Sequence, residues 1–278
     1  MPLVKMKTLL ERADKENRAA GAFSVGNMEM VMGAVRAAEE TNTPIILQIA
    51  EKRLLNSPLE LMAPMMVSAA KNSKVDIAVH LDHGLTLDCI KKSLDFGFTS
   101  VMLDLSLLPL EENIEKTKEV VALAKKTGAT VEAELGVVGG NEGDTEEHII
   151  TCTDPITAKR FCEETGIDCL AVAIGNAHGN YPVLPSLRFD VLEEINNTVS
   201  VPLVLHGGTG ITAQMFRKAI SLGIRKINIA TASFDCLAKY AKAYSDSTDE
   251  PDYFALSAQM SEGVFENVRK HIEIFNNR

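Results

Sequence analysis

The 278-residue sequence predicts a (β/α)8 TIM barrel, and three observations lead there. Eight short β-branched runs recur along the chain, several almost wholly apolar, as expected of parallel strands covered on both faces. Helix signals separate them, in stretches long enough for a crossover connection. Eight such units in about 250 residues match the count and size of this barrel. No composition shift or Pro/Gly/Ser linker divides the chain, so residues 1–278 read as a single domain.

Residues 1–20 form an extra amphipathic helix without the apolar core of a signal peptide. Strands are expected at 21–25 (GAFSV), 44–50 (PIILQIA), 75–83 (VDIAVHLDH) and 100–106 (SVMLDLS). Four more follow at 130–136 (TVEAELG), 168–175 (DCLAVAIG), 201–208 (VPLVLHGG) and 226–233 (KINIATAS). Asn27 caps the helix that opens NMEMVMG; later helices end on Gly97 and Gly128, and another opens on Asp154 and Pro155 and closes on Gly166. Residues 250–278 supply a C-terminal helical extension. A doubly wound open sheet fits less well, because no GxGxxG opens a helix after any strand.

With 46% hydrophobic residues the chain can fill a sizeable core. A formal charge of −10 and the lack of any Lys/Arg block speak against nucleic acid as a partner. No apolar stretch approaches the ~20 residues that span a bilayer, so a cytoplasmic protein without a membrane partner is expected. Cys89, Cys152, Cys162, Cys169 and Cys236 are odd in number and lack CxxC spacing, which points to reduced, buried thiols.

In this barrel, chemistry sits at the C-terminal ends of the strands. His83 closes the third strand, His178 follows the sixth in GNAHGNY, and His206 closes the seventh in LVLHGGTG. Three imidazoles from separate strands, with room for a fourth ligand, suit a catalytic zinc ion; separate hydrogen-bonded strand caps are the plainer alternative. Asp82 precedes His83 and starts out facing the other way on the pleat. It suits proton transfer beside a metal, or the orienting of a histidine. His80 reads as a hydrogen-bonded core residue, and His148 and His271 as solvent-exposed. Asp104 and Glu134 place carboxylates at the ends of the fourth and fifth strands, as alternate metal ligands, orienting groups or members of a salt bridge. The glycine-rich GVVGGNEGD, residues 136–144, carries Glu142 on a loop able to fold over a ligand. Backbone amides of HGGTG (206–210) and NIATAS (228–233) suit a phosphate, aided by Thr209, Asn228, Thr231 and Ser233.

Together, AFSVGNMEM, HLDHG, SVMLDLS, VEAELGVVGGNEGD, GNAHGNY, PLVLHGGTGI and KINIAT resemble the class II, zinc-dependent ketose-bisphosphate aldolases over essentially the whole chain. The resemblance implies that His83, His178 and His206 hold one zinc ion per subunit, with Asp82 as acid/base at the C4 oxygen and Glu142 exchanging the C3 proton of dihydroxyacetone phosphate. It also implies that Gly179, Gly207, Gly208, Thr209, Asn228 and Thr231 hold the phosphate end, and that Na⁺ or K⁺ rests on backbone carbonyls around Ala177, Gly179 and Gly207. A homodimer or homotetramer is implied as well. Zinc would polarise the ketone in place of a lysine Schiff base, and no lysine stands near the end of the sixth strand. The chain departs from the bisphosphate pattern at Ser24, Ala50, Leu107, Leu108, Ala230 and Met260, so the aldehyde half is expected to be unphosphorylated, longer or differently configured. A catalytically silent sugar-phosphate-binding protein and a zinc hydrolase are the rival readings; the hydrolase lacks its usual HxH on the first strand.

Overall fold

The computed structural model describes residues 2–139, 151–180 and 185–277. Eight parallel strands close into a barrel in chain order: β1 (Ala20–Ser24), β2 (Ile45–Ala50), β3 (Ile77–Gly84), β4 (Ser100–Leu103), β5 (Thr130–Leu135), β6 (Cys169–Val172), β7 (Leu203–Leu205) and β8 (Ile224–Ile229). The helices are α1 (Met6–Lys15), α2 (Met28–Glu40), α3 (Leu59–Asn72), α4 (Leu87–Asp95), α5 (Leu110–Thr127), α6 (Pro155–Thr165), α7 (Phe189–Thr198), α8 (Ala213–Ser221), α9 (Thr231–Asp246) and α10 (Tyr253–Phe275). Among the described residues no helix is long and apolar enough to cross a membrane.

Local chemistry accounts for the helix ends. The Asn27 side chain accepts the Met30 N–H at 2.9 Å, and Asp154 accepts the Thr157 N–H at 2.8 Å with Pro155 at the first helical position. Gly128 and Gly166 stop α5 and α6 in the left-handed conformation, at φ of 72° and 69°.

The strands read as apolar runs because both faces are covered. Outward residues such as Phe23, Leu47, Val79 and Leu170 pack beneath the helices. Near the N-terminal mouth, the inward residues Ala22, Ile46, Ala78, Ala171 and Val204 meet Met6, Leu9 and Leu10 of α1, which close that end. Each fully buried aliphatic side chain there stabilises the fold by about 1.5–3 kcal/mol.

Several elements differ from expectation. β8 stops at Ile229, and Thr231 and Ser233 belong to the first turn of α9, which has 16 residues. Ahead of α1, Val4 N–H donates to Ile77 O at 3.0 Å and Ile77 N–H to Pro2 O at 2.7 Å, so the extreme N-terminus pairs with the foot of β3. His271, expected to face solvent, is buried against Phe216 and Phe275 on the inner face of α10, its Nδ1–H donating to Asn267 O at 2.8 Å. The ring's apolar edge fills a gap between aromatic neighbours, and one hydrogen bond within the helix satisfies its donor.

Candidate active site

The C-terminal mouth gathers the predicted histidines. His83 lies in β3 where the pairing with β4 shifts between Leu81 and Gly84, and its backbone takes φ of 39°. That irregularity breaks the strict alternation of the strand, so Asp82 and His83 are both buried at the mouth although they are sequence neighbours. The rings of His83, His178 and His206 have centroids 4.6–5.9 Å apart. One nitrogen from each lies within 4.8 Å of the others; His83, Asp104 and Glu134 form a second such set.

The ring nitrogens are oriented from behind. His83 Nδ1 meets Asp104 Oδ2 at 2.6 Å, and His206 Nε2 meets Glu132 Oε1 at 2.8 Å. A carboxylate on the far nitrogen of a ring is the arrangement that aims the other nitrogen at a metal. Those other atoms, His83 Nε2 and His206 Nδ1, face each other at 2.9 Å. Two lone pairs cannot meet so closely unless they share a proton or a cation. Both nitrogens of His178 are shut off from solvent and have no hydrogen-bond partner among the described residues. The donor set therefore fits a divalent ion with nitrogen ligands.

Electrostatics agree. Burial, and next to it the Asp104 charge, pushes Glu134 well above the ordinary carboxyl range. Its Oε2 is 3.5 Å from His206 Nδ1 and makes no hydrogen bond among the described residues. Burial acts on Asp104 in the same direction, but the hydrogen bond and charge of His83 outweigh it and hold Asp104 low. Burial keeps His178 and His206 neutral, the form that binds metal.

Asp82 is fully buried next to His83 in β3. Its Oδ1 accepts from Asn228 Nδ2 at 2.9 Å and its Oδ2 from Gln48 Nε2 at 3.0 Å. Burial raises its pKa, against the pull of His83 and Lys226. A carboxyl displaced toward neutrality is better matched to proton transfer than one at its ordinary value. Ser24 and Ala50 border it: Gln48 Nε2 also contacts Ser24 Oγ at 3.2 Å, and Ala50 is paired with Asp82 in the sheet. His80 is a core residue, its Nδ1 on Ser100 Oγ at 2.8 Å.

The loop after β6 is clamped to β7 by Asn176, whose Nδ2 donates to His206 O at 3.1 Å. At Gly207, with φ of 64°, a Cβ would collide with the Ala177 carbonyl oxygen, so only glycine lets these backbones meet. Gly208 N–H donates to Asn228 O, and Thr209 Oγ1 accepts the Ala232 N–H at 3.1 Å, drawing the ends of β7 and β8 together. Gly179 and Thr231 lie at the same end of the barrel, in the loop after β6 and in the first turn of α9. Ser233 lies in the same turn of α9, buried, and its oxygen accepts from Asn267 Nδ2 of α10 at 3.0 Å. Glu142 and His148 lie outside the described residues.

Three further residues belong to this site. Glu132, Lys226 and Gln48 are fully buried inside the barrel and hold His206, Asn228 and Asp82. A polar or charged residue within an otherwise apolar strand is the signal that the sequence offers for each.

The class-II fructose-bisphosphate aldolase family matches residues 4–278. The fructose-bisphosphate aldolase of Geobacillus stearothermophilus is 42% identical over 240 residues, spanning 83% of this chain and 82% of that protein. The probable fructose-bisphosphate aldolase of Bacillus subtilis (strain 168) is 43% identical over 235 residues, with the same shares covered. Among solved structures, the YdjI aldolase from Escherichia coli K12 superimposes with a TM-score of 0.88 at 36% identity, covering 98% of this chain and 97% of that one. The family is zinc-dependent in general and acts on sugar phosphates, in keeping with a histidine cluster able to hold a metal. The chain belongs to the class-II fructose-bisphosphate aldolase family.

Proposed function

We propose that this protein reversibly cleaves a ketose 1-phosphate or 1,6-bisphosphate into dihydroxyacetone phosphate and an aldehyde. The observation that carries the reading is the meeting of His83, His178 and His206, with the buried carboxyl of Asp82 next to His83 in β3. The three histidines would hold zinc, with Asp104 and Glu134 as orienting groups or alternate ligands. When bound, the ion supplies Lewis acidity, drawing electron density from the substrate ketone. Asp82 takes the proton of the C4 hydroxyl as the C3–C4 bond breaks, and the bond's electron pair passes to C3 and its neighbouring carbonyl. Glu142, in its acid form, then returns a proton to C3, completing dihydroxyacetone phosphate. In the reverse direction the same two carboxyls exchange roles.

Backbone amides of Gly179, Gly207 and Gly208, with Thr209 and Thr231, receive the phosphate of the triose end, and Asn228 orients Asp82 beside it. Ser233 adds a further donor there, since its oxygen accepts from Asn267 Nδ2 and leaves its own O–H free to donate. Na⁺ or K⁺ would rest on the carbonyls around Ala177, Gly179 and Gly207. The protein is read as a single cytoplasmic domain that assembles into a homodimer or homotetramer.

A coupled assay for dihydroxyacetone phosphate released from a panel of ketose phosphates, with and without a second phosphate, tests the reading. Release that stops on chelation and returns with zinc is expected. Failure to cleave any of the panel while still binding zinc and sugar phosphate would leave the silent binding protein, and cleavage that survives complete metal removal would defeat the mechanism.

A further inference from the structure

We infer that Lys226 is a positioning residue that sets, from inside the barrel, both the amide of Asn228 at Asp82 and the ring of His206. The inference deepens the aldolase reading and rests on it. Lys226 projects inward from β8 and no solvent reaches it. Its Nζ donates to Asn228 Oδ1 at 2.7 Å and to Glu132 at 2.9 Å (Oε2) and 3.2 Å (Oε1).

An ammonium offers donors only. The Asn228 carbonyl oxygen must therefore face Lys226, which turns Nδ2 toward Asp82 Oδ1 at 2.9 Å. With the amide reversed, an NH₂ would confront the ammonium and an oxygen would confront the carboxyl of Asp82, both in a low-dielectric interior. On the other side, both Glu132 oxygens accept from the same Nζ, so Oε1 is an acceptor toward His206 as well. His206 then carries its proton on Nε2, 2.8 Å from Glu132 Oε1, and keeps Nδ1 for the metal position. One cation thus selects an amide orientation and a histidine tautomer while touching neither substrate nor metal. His80 packs between the two arms, its Nε2 3.7 Å from Glu132 Oε2 and 4.0 Å from Asp82 Oδ1, and hydrogen-bonds to neither.

Lys226→Met alone leaves the buried Glu132 charge unpaired and reports chiefly on folding. The combination of Lys226→Met with Glu132→Gln restores neutrality, and the introduced amide oxygen can still accept from His206 Nε2–H, so this pair isolates the Asn228 arm. Both forms are to be zinc-loaded and compared with wild type for metal content, thermal midpoint and C3-proton exchange of dihydroxyacetone phosphate in deuterated water. kcat and KM are measured on the ketose phosphate that wild type cleaves fastest. The double variant is expected to retain zinc, to lose about 10–100-fold in kcat for cleavage, and to keep KM and the exchange rate within about threefold, because exchange at C3 does not use Asp82. Lys226→Gln with Glu132→Gln, which restores a donor toward Asn228, should recover part of the loss, and it carries the test if the methionine form does not fold. Cleavage and exchange falling by the same factor, or both staying at wild-type rates, would overturn the role of Lys226. A wild-type protein that shows neither cleavage nor exchange would instead defeat the aldolase reading itself.

Discussion

The two ends of the barrel are built from the same eight strands with the same alternation, yet their interiors hold opposite contents. Toward the N-terminal mouth the inward side chains are Ala20, Ala22, Ile46, Ala78, Cys169, Ala171 and Val204, sealed by Met6, Leu9 and Leu10. Farther along the same strands they are Ser24, Gln48, His80, Asp82, Glu132, Glu134, Lys226 and Asn228, all at least nine-tenths buried. Both halves are buried, but they stay folded for different reasons. The lower half gains free energy from the apolar area it removes from water. The upper half must offset the cost of its buried polar groups, which it does in part through the links Lys226–Glu132–His206 and His83–Asp104 and the branch through Asn228 to Asp82, while Glu134 Oε2 and His80 Nε2 have no hydrogen-bond partner among the described residues.

The largest way to break that contrast is His206→Ala. It removes one ring of the proposed metal set and leaves Glu132 without its His206 partner. Bound zinc should fall below one per chain, and cleavage should drop on the order of a thousandfold or more, since a Lewis acid contributes several kcal/mol to the barrier. Metal analysis after gel filtration, run beside the activity assay, checks this; full zinc content in the variant would refute the ligand assignment.

Leu9→Ala probes the opposite end. Deleting a fully buried aliphatic group from the plug should cost about 2–5 kcal/mol and lower the thermal midpoint by several degrees, with kcat at 25 °C unchanged. A variant that is folded at the assay temperature but catalytically slower would show that the two halves are not separable.

A smaller effect sharpens the comparison from outside the barrel. His271 is a lone ionisable ring in the apolar layer between α8 and α10, and burial lowers its pKa from 6.5 to about 4. The unfolded chain therefore takes up this proton at higher pH than the folded one, so stability declines as pH falls from about 6.5 toward 4. Roughly 2 kcal/mol should be lost from this group between pH 7 and pH 5. Urea midpoints for wild type and His271→Leu at both pH values measure it. Equal acid sensitivity in the two proteins would mean that the ring is already charged, or already exposed, in the native state.

Much of the fold was legible because its signals are local. Asn27, Asp154, Pro155, Gly128 and Gly166 end or begin helices through contacts within a few residues. The three histidines and Asp82 could be placed at one rim because strand order fixes which strand ends point the same way. The boundary of β8 was harder, since NIATAS suits a strand as well as a helix start, and packing under α10 favours the helix from Thr231. His271 was misjudged for a similar reason: helix periodicity does not say which ring will fill an aromatic gap.

Glu132 and Lys226 mark the limit more sharply. Each shares strand parity with a candidate site residue, Glu134 and Asn228, so their inward direction is legible in the sequence. Their partnership is not, because 94 residues separate them and only closure of the barrel brings them together. The same holds for His83 and His206, which are 123 residues apart. By itself the sequence determined the alternation of strands and helices, the capping of the helices and the kinds of side chain at the rim, all encoded over a few residues. Tertiary structure alone decided which carboxylate backs which imidazole and which way the Asn228 amide faces, because those choices depend on charges meeting across a closed, buried interior.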